Sequence, residues 1–135
     1  MSEHPNLVRS REGYEAFAKG DLAFLTEQWR EDVRWHEQGT TELAGDYEGP
    51  QAVFGMFARI MELTENSFRA EPLQMCADDE YGIALVRFTA RRGTAHLDTL
   101  TAQVARFDGD GKLAEFWNCP TEPAVLDAFL GEQRA

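Results

Sequence analysis

Histidine is the side chain whose charge changes near neutral pH, and the chain has three, His4, His36 and His96. His96 and Asp98 stand two apart in an alternating run, so an imidazole and a carboxylate share one strand face and can orient each other. The competing account of that pair is an exposed hairpin end, since it falls early in its strand. His36 lies between Trp35 and Glu37 in Val33-Arg-Trp-His-Glu37, another alternating run. Its ring therefore points opposite to both neighbours. If Trp35 lines a pocket, His36 packs on the outer side in a structural role. His4 falls in an N-terminal tail. Glu37 is the acid on the Trp35 side. At the mouth of an apolar pocket, burial raises such a carboxyl towards neutrality, which a proton shuttle requires. In solvent, Glu37 merely opens the following loop.

Three look-alike motifs carry no chemistry. Asp108-Gly-Asp-Gly begins like a calcium loop but lacks the downstream bidentate Glu, and reads as a hairpin turn. His36-Glu37 is not a zinc HExxH motif, because Thr40 occupies the second histidine position. Phe54, Phe57 and Met61 at helical spacing are core, although core residues can also wall a pocket. No metal and no cofactor is expected.

The elements that must position these groups follow from the rest of the chain. Its 135 residues suit one domain, 1–135, large enough for a core without staples. With 13 Lys and Arg against 24 Asp and Glu, the net charge is -11, which excludes nucleic acid and disfavours anionic membranes as partners. A hydrophobic fraction of 43% is too high for an acidic disordered chain. The N-terminus has no basic and apolar export signal, and Cys76 and Cys119 show no metal spacing, so reduced thiols and a cytoplasmic location are expected.

The first segment has helical periodicity, stopped by Gly20, with Asp21 capping a second helix to about Arg30. A strand at Val33–Glu37 leads into a polar, Gly-rich loop over 38–49. Gly49-Pro50 then starts a third helix to Leu63. Beyond Phe68 the period becomes two. Strands are expected over Phe68–Met75 (an edge, because of Pro72), Tyr81–Arg91, Ala95–Phe107 and Leu113–Cys119, then a short terminal helix. Helices followed by an antiparallel meander give an α+β fold, with helices laid over one face of a curved sheet.

This order resembles the nuclear-transport-factor-two-like superfamily, and more narrowly the SnoaL-like polyketide cyclases and ketosteroid-isomerase-related proteins. The residues that carry the resemblance are Tyr14-Glu-Ala-Phe-Ala-Lys-Gly-Asp21, Val33-Arg-Trp-His36, Leu43-Ala-Gly-Asp-Tyr-Glu-Gly49 and Gly111-Lys-Leu-Ala-Glu-Phe-Trp117. It implies a cone-shaped barrel, a pocket between helices and sheet, and a homodimer through the convex face. In Ala95–Phe107 it places Thr99, Thr101, Gln103 and Ala105 in the pocket and Leu100, Ala102 and Val104 against a partner.

By the same resemblance Glu37 matches the isomerase's general base, a system in which pKa tuning of carboxyls is well established. The isomerase's oxyanion-hole tyrosine falls on Gly13, leaving Tyr14 turned about 100° away on its helix. Its second donor falls on Gln103, whose amide can still donate. Of the water-activating set of limonene epoxide hydrolase, the arginine matches Arg87, but the two acids fall on Thr89 and Asn118. Arg87 then points inward and needs a counter-charge or an anionic ligand, unless it snorkels to solvent.

The resemblance thus implies a cofactor-independent isomerase or cyclase acting on a hydrophobic, carbonyl-bearing, polyketide- or terpenoid-like molecule. Glu37 is the expected base, with Gln103 and Asn118 as polar orienters and His96–Asp98 as the rival catalytic pair. Arg87 is the expected anion holder. Tyr14, Thr101, Trp35, Phe54, Phe57 and Phe116 complete the ligand wall. A non-catalytic binder of small hydrophobic ligands uses the same pocket and is the alternative.

Overall fold

The computed structural model describes residues 3–131. Helix α1 (Pro5–Lys19) starts at His4, whose Nδ1 accepts the Asn6 N–H, and ends at Gly20 in the left-handed conformation with φ +69°. His4 is thus a helix cap, also bonded to Asp79 at 2.8 Å, rather than part of a loose tail. Asp21 caps α2 (Leu22–Gln28) through the Phe24 N–H. Helix α3 (Pro50–Leu63) buries Val53, Phe54 and Met56. Helix α4 (Pro123–Leu130) buries Leu126, Phe129 and Leu130.

Six strands form one curved, unclosed sheet in the order β2-β1-β6-β5-β4-β3. They are β1 (Trp29–Glu37), β2 (Gly45–Glu48), β3 (Arg69–Ala77), β4 (Tyr81–Arg92), β5 (Ala95–Phe107) and β6 (Leu113–Pro120). The meander β3 to β6 is antiparallel, as its periodicity implies. The sheet as a whole is mixed, because β1 runs parallel to β6. Pro72 sits on the edge strand at a register slip between Pro72 and Gln74, where its missing N–H costs no ladder bond.

Two local readings change. The second helix stops at Gln28 and Trp29 already begins β1, short of the expected end near Arg30. The polar stretch 38–49 contains β2, which pairs Trp35 with Tyr47 and Glu37 with Gly45. Four residues are too few for a periodic signal; the pairing with β1 makes the strand.

The helices cover one face of the sheet, called here the inner face. On β5 it carries Thr99, Thr101 and Gln103, all buried, as the resemblance implies. On β4 it carries the even residues Ala84, Val86, Phe88 and Ala90. The core joins these strands to an aromatic cluster of Trp29, Trp35, Phe54, Phe57 and Phe116. Among the described residues no helix is long and apolar enough to cross a membrane. Both cysteines are free thiols.

Candidate active site

The parallel pairing of β1 and β6 sets the site. It aligns Trp35 with Phe116 and Glu37 with Asn118 on the inner face, and His36 with Trp117 on the outer face. The Trp35 and Phe116 rings stack with centroids 3.8 Å apart. Antiparallel pairing then aligns Asn118 with Gln103 and Cys119 with Ala102. Three strands therefore bring Glu37, Asn118 and Gln103 into one row across the sheet.

The row is a directed chain of hydrogen bonds. Tyr14 donates its hydroxyl to Gln103 Oε1 at 2.5 Å. Gln103 Nε2 donates to Asn118 Oδ1 at 3.1 Å, and Thr101 Oγ1 donates to the same oxygen at 2.6 Å. Asn118 Nδ2 donates to Glu37 Oε2 at 3.0 Å, and Trp35 Nε1 donates to Glu37 Oε1 at 2.7 Å. The amide orientations follow from this sequence of donors and acceptors. Among the described residues no buried side-chain polar atom lacks a partner.

Burial pushes the Glu37 carboxyl up to about 7, against the hydrogen bonds from Trp35 and Asn118, which favour its charged form. Among the described residues no cation contacts it. Burial likewise drives the Tyr14 hydroxyl above the usual phenol range, so it stays a neutral donor.

Two cavities flank this chain. The larger, about 120 Å³, lies among α1, Trp29, Trp35, Phe57, Gln103, Phe107 and Phe116. Tyr14 opens onto it, contrary to the expected 100° rotation away, because α1 crosses the sheet with this side inward. The smaller, about 40 Å³, lies beneath α4 and holds Glu37 and Asn118, walled by Phe68, Phe88 and Leu126. Trp35 lines the first cavity while its Nε1 holds the carboxylate that faces the second. Phe54 lines neither and packs on Trp29. Thr101 is fully buried and reaches the site only through Asn118.

Three expected participants lie elsewhere. Arg87 is on the outer face, its side chain 45% exposed, and its Nε and Nη2 hold Asp98 at 2.8 and 2.6 Å. The β4–β5 register decides this: it pairs Arg87 with Leu100 and Thr89 with Asp98, so odd residues of β4 and even residues of β5 share the outer face. The inward Arg87 is thereby corrected. His96 and Asp98 are on that same outer face, exposed and away from both cavities, and Asp98 pairs with Arg87 instead of orienting His96. His36 packs on the outer face between Asp46 and Glu115, each 2.6 Å away, and stacks on Trp117. Among the described residues no group of three or more His, Cys, Asp or Glu is arranged to hold a metal.

Sequence reasoning missed the Tyr14–Gln103 bond and the second cavity. It also missed the tie between α4 and the 38–44 loop, where Asp127 accepts from the Thr40 N–H and hydroxyl. Gly39 lies directly against that carboxylate with φ +132°, and a Cβ there would collide with it. The Gly39-Thr40-Thr41 stretch was the available signal.

Comparison with known proteins agrees with this architecture. Residues 10–116 match the SnoaL-like domain model. Bal32a from a soil-derived mobile gene cassette is similar, with 33% identity, a TM-score of 0.88, and coverage of 93% of this chain and 95% of its own. TerC, co-crystallized with polyporic acid, shares the fold at 14% identity and TM-score 0.81, over 93% and 98% of the two chains. A putative SnoaL-like polyketide cyclase from Jannaschia shares it at 12% identity and TM-score 0.78, over 98% and 99%. Functionally curated proteins give no significant match.

Proposed function

This chain belongs to the SnoaL-like domain family, and on that premise we propose that it is a cofactor-independent acid/base enzyme of the isomerase or cyclase type. Its substrate is a flat, hydrophobic, carbonyl-bearing molecule of polyketide or terpenoid character. One observation carries this reading. A buried carboxyl titrating near 7 stands at the end of a donor chain whose other end, Tyr14, opens onto an aromatic cavity. A base poised near the working pH abstracts a proton next to a carbonyl and returns it at low cost. Tyr14 exchanges its bond to Gln103 for one to the carbonyl oxygen and stabilises the enolate. In this reading the Glu37 carboxylate, which faces the smaller cavity, lets go of the Trp35 indole and turns to the ligand. The rings of Trp29, Trp35, Phe57 and Phe116 hold the ligand flat.

The test is hydrogen–deuterium exchange at the carbon next to the carbonyl of 2-tetralone, followed by NMR. The protein is expected to accelerate exchange, and Glu37→Gln to reduce it by about 10²–10⁴-fold. Exchange unaffected by Glu37→Gln overturns the assignment of Glu37.

A second reading has its own support. The carboxyl faces the smaller cavity, and the chain satisfies its own donors and acceptors. A non-catalytic binder of small hydrophobic ligands needs no more than this, and binding of the ketone without exchange supports it. A homodimer through the outer face is a further proposal, supported by half-buried Leu100, Ala102 and Val104 and by Ile83, 49% exposed. Sedimentation equilibrium at micromolar concentration tests it.

A further inference from the structure

With Arg87 on the outer face, the larger cavity has a different cation. Among the described residues Arg9, on α1, is the one formally charged residue of its lining. Its Nη1 donates to Asn6 Oδ1 at 2.7 Å. Asn6 is only 3% exposed and is fixed in turn by donating Nδ2 to the carbonyls of Asp78 and Asp79 at 3.0 and 3.2 Å. The guanidinium lies flat against Gly111, at φ +80° in the turn after β5, where a Cβ would collide with it. A buried amide and a side-chain-free turn thus seat the arginine at the end of the cavity.

What it lacks is an anion. Arg11, Arg30, Arg34, Arg59, Arg87 and Arg106 each face a carboxylate. Among the described residues Arg9, Arg69, Arg91 and Arg92 face none, and of these four only Arg9 lines the larger cavity, in a chain with 24 acidic residues to 13 basic ones. Guanidinium recognises planar carboxylates through paired donors, and an apolar surround strengthens that attraction. We propose that Arg9 is an anion subsite and that the ligand of the larger cavity is an aromatic or polycyclic carboxylate. The proposal deepens the function given above and rests on its use of this cavity. Along α1, Arg9 and Tyr14 are about 7.5 Å apart in axial rise, so the acid group sits at the far end of the ligand from the carbonyl that Tyr14 would meet.

2-Naphthoate and 2-naphthamide have nearly the same shape and differ in charge. Quenching of tryptophan fluorescence reads their binding, since Trp29 and Trp35 line the cavity. The naphthoate is expected to bind roughly tenfold tighter, about 1.4 kcal/mol, although the net charge of -11 repels it. Arg9→Met erases that preference by weakening naphthoate far more than naphthamide, while Arg9→Lys keeps part of it. In the unaltered protein added salt weakens naphthoate binding, whereas general repulsion alone predicts that salt strengthens it. Equal affinity for the two probes, no saturable binding of either, or salt-strengthened naphthoate binding overturns the subsite. None of these results alters tetralone exchange through Glu37, so the two proposals fail separately.

Discussion

His36 and Glu37 are neighbours on β1, and both hold a proton more tightly than they would in water, for opposite reasons. On the inner face Glu37 meets neutral donors and aromatic rings, and losing water penalises its charged form. On the outer face partial burial works against the charge on His36. The hydrogen bonds and charges of Asp46 and Glu115 outweigh it and hold the imidazole above its ordinary range. Glu115 is correspondingly lowered by His36, with Arg106 and Arg34 assisting. The strand offers both faces the same backbone. The surroundings make one a reservoir of uncharged acid and the other a lattice of ion pairs.

The largest expected break in this comparison is the loss of about 10²–10⁴-fold in exchange on Glu37→Gln. No such loss is expected when the outer pair is removed by Arg87→Ala or Asp98→Ala, which exchange assays check side by side. Next in size is the interior chain itself. Asn118→Leu strands Gln103, Thr101 and Glu37 without their shared partner. It is expected to cost about 2–4 kcal/mol in urea unfolding.

The pH dependence of stability separates the two faces further. The Glu37 carboxyl lies near 4.5 in the unfolded chain and about 7 in the fold, so the native state binds the extra proton. Its stabilising contribution is present below the lower value and is lost as pH rises to the higher, about 3 kcal/mol over the whole span. Unfolding midpoints across that window should show the slope, and Glu37→Gln should flatten it. His36 is also raised, so its contribution is complete below about 6.5 and falls away as pH rises through its folded value. His36→Gln is expected to cost about 1 kcal/mol in acid and little in base. Salt should weaken the His36 effect, an ion-pair effect, and spare that of Glu37, a desolvation effect. The smallest change is expected from Arg87→Ala, whose exposed partner makes no measurable difference to the thermal midpoint.

Much of this was legible in the sequence. Alternation over Ala95–Phe107 grouped Thr99, Thr101 and Gln103 on one face, family likeness put that face inside, and the run Val33–Glu37 separated His36 from Trp35 and Glu37. Pro72 announced an edge. On β4 two sets compete: Val86 and Phe88 on one parity are apolar, whereas Leu85 shares the other with the polar Arg87 and Thr89, so alternation alone favours the first. Family likeness then chose the wrong one. His96 and Asp98 were a plausible pair by spacing, but spacing does not say which face of a sheet is covered.

The sequence by itself determined the elements other than β2, their order and a carboxylate beside an indole, because periodicity, capping and turn chemistry act over a few residues. Tertiary structure decided which parity of β4 faces inward and that β1 runs parallel to β6. It also joined Glu37 to Tyr14 through Asn118 and Gln103, and brought Arg9 rather than Arg87 to the cavity. Each of these depends on register between strands far apart in the chain, or on how a helix crosses them. Register is set by the whole buried face at once, and no local pattern encodes it.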